Sequence, residues 1–435
     1  MSLLPDAVQR YLDKSAFKGP WALEGTKRGG FAGAVVIPSL AEGDSLFATL
    51  QSLAANPRLL TAGFLVVIVV NHGEHASAAD RLQSSIDLTR LAALAERSEL
   101  CLTWVDAASP GAEVPTKQAG VGFARKLGMD LALPLLNWKE NPLLVCLDAD
   151  TLVEANYLQS IASHFRQSAL GAATLPFRHQ PGNDSAQQAA IDRYELFLRS
   201  YVYGLRLAES PYAFNTVGSA MACRASAYVR CGGMNCRKAG EDFYFLQKLA
   251  KTDGVALLSG TTVFPEPRIS SRVPFGTGRS MSRMLDGDAQ AVLFYPAKAF
   301  QVLDDWLRTV EQKLSVDAET LLTYAERISP VLADYLEQAN WRTVWPRLQS
   351  THRTRSRRLQ AFHVWFDGFK TMRMIHLLCD AGLCRGEPEE VLPEYFLWEG
   401  RDCPKEQAGM LEALRVHDGV PQSISVSKIQ KAVLL

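Results

Sequence analysis

At 435 residues the chain exceeds what one hydrophobic core ordinarily supports, so two or three domains are expected. Lys+Arg and Asp+Glu both total 46, which excludes a global field for nucleic acid or an acidic membrane, so any anionic ligand must be met locally. Met1–Pro20 lacks the basic-then-apolar order of a secretory signal. The most apolar run, Gly63–Val70, is far short of the roughly 20 residues that cross a bilayer. The eight cysteines lack zinc-site spacing and are expected to be free thiols, so the sequence reads as cytoplasmic.

In chain order, the β-branched run Ala34–Ile37 predicts a strand ended by Pro38, followed by a helix over Asp44–Ala55. Phe64–Val70, closed by Asn71-His72-Gly73, reads as a strand buried on both faces. A helix over Ala78–Arg97, a strand over Cys101–Val105, a helix over Gly122–Ala132 and a strand over Leu143–Leu147 come next. This alternation implies an α/β, Rossmann-like, mostly parallel sheet flanked by helices, with its ligand crevice at the carboxyl ends of the strands. Helices are further expected over Asp184–Glu209 and Asp242–Lys251, and a strand or ledge over Asn215–Arg224. Beyond Gly287 the pattern is almost wholly helical (Tyr295–Leu314, Ala318–Glu337, Leu359–Leu378). The expected organisation is an N-terminal extension (1–28), an α/β domain (29–285) and an α-helical C-terminal domain (286–435).

Four constellations bear on chemistry. Asp148-Ala149-Asp150 follows a buried strand, where two carboxylates can face one Mg²⁺ or Mn²⁺ that bridges phosphates. The ordinary alternative is that Asp150 or Thr151 caps the helix containing Tyr157–Phe165. Glu241-Asp242 stands at a helix start, where the dipole favours the anion a general base requires, and capping is again the alternative. Lys117, Arg125 and Lys126 surround glycines at a helix start that suits a phosphate or a nucleotide edge, or else forms an ordinary solvated helix face. Arg268, Arg272 and Arg279 lie among Gly276 and Gly278 in what reads as a loop able to close on an anion, or as a plain surface loop.

Taken in order, these pieces resemble the family 2 glycosyltransferases, which have the GT-A fold. Val35-Val-Ile-Pro38 with Glu42 resembles the first-strand motif, Leu147-Asp-Ala-Asp-Thr151 the DxD strand, Ala220–Gly233 the acceptor-side ledge, and Glu241-Asp242 the ED motif. The resemblance spans roughly Gly33–Gly278. It implies an inverting transferase that moves a sugar from a nucleotide-diphosphate sugar to a hydroxyl acceptor. Pro38 and Glu42 would border the nucleotide, Asp148 would lie near ribose and metal, and Asp150 would ligate the metal. Asp242 would deprotonate the acceptor with Glu241 beside it. Apart from the resemblance, Asn71, Lys117, Arg125, Arg272 and Arg279 are candidate donor-site residues.

Three features depart from the family. Asn71 stands where acidic residues often contact the base, the QxxRW motif of processive synthases is absent, and no histidine lies between Asp242 and Arg279 to serve as a third metal ligand. In the helical region, residues 341–376 carry eight Lys/Arg against one acid, Asp367, which suits a solvated face, an anionic acceptor or a peripheral membrane surface. Trp341, Trp345 and Trp365 are expected to pack between helices rather than on a sugar. The acceptor class (saccharide, lipid-linked or small molecule) is left open. Two other readings stand: a nucleotidyltransferase, disfavoured because no glycine- and lysine-rich loop follows the first strand, and a catalytically idle scaffold.

Overall fold

The computed structural model describes residues 4–25, 28–116, 118–269, 276–288 and 290–421. The chain forms two compact units. One comprises Met1–Ile191, Thr216–Leu285 and Val416–Leu435, the other Asp192–Asn215 and Asp286–Arg415. Among the described residues no helix is long and apolar enough to cross a membrane.

The first unit is built on strands β1 (Glu24–Gly25), β2 (Gly33–Ser39), β3 (Phe64–Asn71), β4 (Cys101–Ala107), β5 (Leu143–Cys146), β6 (Thr151–Val153), β7 (Ala172–Thr174), β8 (Met221–Arg224), β9 (Val255–Leu257) and β10 (Val263–Pro265). Eight of them form one sheet in the order β1-β4-β3-β2-β5-β8-β7-β9, and β6 pairs with β10 separately. The β4-β3-β2-β5 centre is parallel, β8 runs against both neighbours, and β7 and β9 are parallel. The mostly parallel α/β sheet expected from the sequence is thus the one formed. All eight residues of β3 are buried, as an apolar run covered on both faces requires.

Connectivity places the crevice. From β2 the chain steps outward to β3 and β4, then returns to β5 on the other side of β2, so strand order reverses there. The helix Val121–Ala132 lies close against this centre at Gly128, where a Cβ would come within 2.5 Å of Val36 Cγ1 and 2.9 Å of Val69 Cγ2. Pro38 is tolerated in this central strand for a geometric reason. Leu147 N–H donates to Val36 O at 3.2 Å, so the polar groups of Val36 and Pro38 face β5, and that ladder ends at Val36↔Cys146. The N–H that proline lacks would have found no partner there.

The N-terminal helix Asp6–Lys14 belongs to this unit through a buried polar cluster. Asp130 accepts from Tyr11 Oη (2.8 Å), Tyr228 Oη (2.7 Å) and Lys126 Nζ (2.8 Å).

The second unit is helical. Two expected helices are each broken in two. Ala318–Ile328 and Pro330–Gln338 part at Ser329, where Pro330 can begin a helix but not donate within one. Arg355–Trp365 and Gly368–Asp380 part at Asp367, whose Oδ1 caps the second by accepting from Lys370 N–H at 3.0 Å. Trp341 and Trp345 are fully buried and stack at 4.8 Å, with Trp306 edge-on to Trp341 at 5.3 Å. They form helix packing and present no face to a sugar.

Candidate active site

Asp148 and Asp150 leave the carboxyl end of β5, beside the end of β2. The backbone between them is pinned. Thr49 Oγ1 donates to Ala149 O at 2.9 Å, and Glu266 N–H and Gln180 Nε2 each donate to Asp150 O at 3.1 Å. Thr151 then opens β6, while the helix Tyr157–Gln167 begins at Asn156 without a side-chain cap. The capping alternative for Asp150 and Thr151 therefore fails, because a strand intervenes.

Arg125, on the helix Val121–Ala132, lies beneath these carboxylates with only 2% of its surface exposed. Its Nη1 donates to Glu241 Oε1 and its Nη2 to Asp148 Oδ1, while among the described residues its buried Nε has no partner. Gly218 makes room for it, since a Cβ there would come within 2.3 Å of Nη2. This buried guanidinium is the internal counter-ion of both carboxylates and holds them in place.

The helix Glu241–Thr252 starts from Gly240, whose φ of +69° suits glycine, and no side chain caps it. Asp242 sits at the second helical position, half-buried, its Oδ1 accepting from Phe243 N–H at 2.7 Å. Burial, and then the neighbouring Glu241 carboxylate, push the Asp242 carboxyl up to about 7 against the pull of Arg125. Glu241 is buried and also raised, burial outweighing its pairing with Arg125.

The opposite rim comes from β10 and the turn after β2. Arg268 Nη1 donates to Glu42 Oε2, and Nη2 lies 3.3 Å from Glu42 Oε1 and 3.2 Å from Asp150 Oδ2. Asp150 is likewise pushed up to about 7, by burial first and then by Asp148, Glu42 and Glu266, with Arg268 opposing. The network thus contains six carboxyl groups (Glu42, Asp148, Asp150, Glu241, Asp242, Glu266) and two guanidiniums (Arg125, Arg268).

Other expected residues fall differently. Pro38 does not stop its strand, which runs on one residue to Ser39, and the buried Asn71 ends β3. Arg279 is exposed on the helix Thr277–Leu285, and among the described residues it makes no ion pair with the cluster. Lys117 and Arg272 lie outside the described residues. Arg268, expected in a loop able to close on an anion, is paired with Glu42 and Asp150, and the one unforeseen member of the cluster is Glu266, whose signal in the sequence is a carboxylate set between Pro265 and Pro267.

No protein-family model matches this chain, and no curated protein matches it. Among solved structures, S. aureus TarS 1–349 in complex with UDP-GlcNAc is similar at 13% identity and a TM-score of 0.39, over 73% of this chain and 92% of that one. The mannosyltransferase PcManGT from Pyrobaculum calidifontis, in complex with GDP-Man and Mn²⁺, is similar at 14% identity and a TM-score of 0.38, over 96% of this chain and 93% of that one. Both scores lie below 0.5, so neither likeness speaks to the site.

Proposed function

We propose that the first unit is a GT-A glycosyltransferase domain of the family 2 type, moving a sugar from a nucleoside-diphosphate sugar to a hydroxyl acceptor with inversion. The observation that carries this reading is the joining of Asp148, Asp150, Glu241 and Asp242 through Arg125 and adjacent charges at the strand-order reversal.

Among the described residues no three His, Cys, Asp or Glu side chains converge as a ready cage. The excess of carboxylate around Asp150 nevertheless fits a hard cation held by Asp150 and Asp148 and completed by phosphate and water. When bound, Mg²⁺ or Mn²⁺ would neutralise charge on the leaving diphosphate.

The protein's own groups do the rest. Asp242, as the anion, takes the proton of the acceptor hydroxyl as that oxygen bonds to the anomeric carbon. The bond from that carbon to the diphosphate oxygen breaks, and the nucleoside diphosphate leaves with the electron pair. Burial, and then Glu241 held by Arg125, keep the Asp242 carboxyl raised toward neutral pH, where a base is effective. Asp242→Asn should lower kcat about 10²- to 10⁴-fold while leaving donor affinity within about threefold, measured by transfer assay and calorimetry with UDP and GDP. Intact transfer by this variant would remove Asp242 as base.

A scaffold without catalysis is the second reading, favoured by the pairing of both Asp148 and Asp150 to arginines. No Mn²⁺-dependent binding of any nucleoside diphosphate would decide for it.

A further inference from the structure

Arg268 has no task in the proposed reaction, yet it occupies the carboxylate assigned to the metal. Its guanidinium bridges Glu42 and Asp150, with Nη2 3.2 Å from Asp150 Oδ2. The backbone beneath it is fixed. Glu266 N–H is held by Asp150 O at 3.1 Å, Pro267 O accepts from Gln187 Nε2 at 2.7 Å, and Arg268 N–H donates to Glu266 O at 2.8 Å. The side chain is different, being 34% exposed and reaching the carboxylates from the solvent edge. A long side chain on a pinned backbone can change partner by rotamer alone.

We propose that Arg268 is an exchangeable resident cation. Without donor it neutralises Asp150 and Glu42, and when a divalent cation arrives with a nucleoside diphosphate, it leaves Asp150 while remaining within reach of Glu42. The inference rests on Asp150 being a metal donor, as proposed above. Its physical basis is that a guanidinium and a divalent cation cannot share Asp150 Oδ2, because like charges in a partly desolvated site repel. The exchange keeps the crowded carboxylates Glu42, Asp148, Asp150 and Glu266 from standing uncompensated before the donor binds. It also makes the site refuse free metal and accept it together with diphosphate.

The test is the affinity for Mn²⁺ alone, measured at pH 7.5 from the paramagnetic resonance signal of the free ion. The full chain is compared with Arg268→Gln and Arg268→Lys, with circular dichroism confirming the fold of each. Arg268→Gln should bind Mn²⁺ roughly twofold to fivefold tighter than the parent chain, the gain expected from removing one competing, part-exposed ion pair. Arg268→Lys, which keeps the charge but cannot bridge, should fall between them, and it carries the test if the glutamine variant does not fold. Adding Asp150→Asn should abolish the gain. If neither variant binds Mn²⁺ tighter while the parent chain still binds Mn²⁺ with UDP or GDP, the exchange is wrong and the metal reading stands. If no protein binds Mn²⁺ with either nucleotide, the metal reading fails and the exchange falls with it.

Discussion

Asp242 combines two properties that pull in opposite directions. Burial and the Glu241 charge raise its carboxyl from an ordinary 3.8 to about 7, so the folded protein binds its proton more tightly than the unfolded chain does. Its contribution to stability is therefore full below about pH 4 and is lost as pH rises to about 7. Transfer should run the other way, with kcat/KM rising through an apparent value near 7 as Asp242 ionises, measurable in a pH–rate profile. Asp242→Asn should consequently be more stable than the parent chain at pH 8, by about 1 kcal/mol in denaturant titration, while losing activity. A variant both inactive and less stable at that pH would contradict this origin of the raised value. Arg125 shows the opposite balance. Replacing it by Met would strand Glu241 as an unpaired buried carboxylate and should cost about 3–5 kcal/mol, seen in the same titration.

At the scale of elements, the site depends on close approach of backbones. The helix Val121–Ala132 carries Arg125 to the carboxylates because Gly128 lets it settle on β2 and β3. Gly128→Ala would drive a methyl group into Val36 and Val69, which sit on central strands and cannot retreat. It should cost about 1–3 kcal/mol and lower transfer by displacing Arg125, as thermal unfolding and a kinetic assay would show. Periodicity and apolar runs made β2 to β5 and their helices legible in the sequence. It did not reveal β6 and β10, three residues each, whose pairing rather than local pattern makes them strands. That small ladder is what separates Asp150 from the following helix and brings Arg268 to it.

For the whole molecule, the two units are not consecutive pieces of chain. The segment Asp192–Asn215 belongs with the helical unit, where Glu195, fully buried, accepts from Arg199 Nη2 at 2.9 Å and Arg415 Nε at 2.7 Å. A chain ending at Leu285 would keep Glu195 and Arg199 but lose Arg415. It should aggregate or elute as an expanded species in size-exclusion chromatography, and a compact monomer would show that the first unit tolerates the loss. Amino-acid sequence alone determined the α/β sheet and the helical second half, because these rest on local periodicity, and it marked Asp148, Asp150 and Asp242 as candidates only through the ordered set of motifs. Only the tertiary structure decided that Arg125 is an internal counter-ion, that Arg268 sits on Asp150 and that Arg279 is exposed on a helix. Those outcomes depend on which charges long-range packing brings within a few ångströms, and on how deeply it buries them.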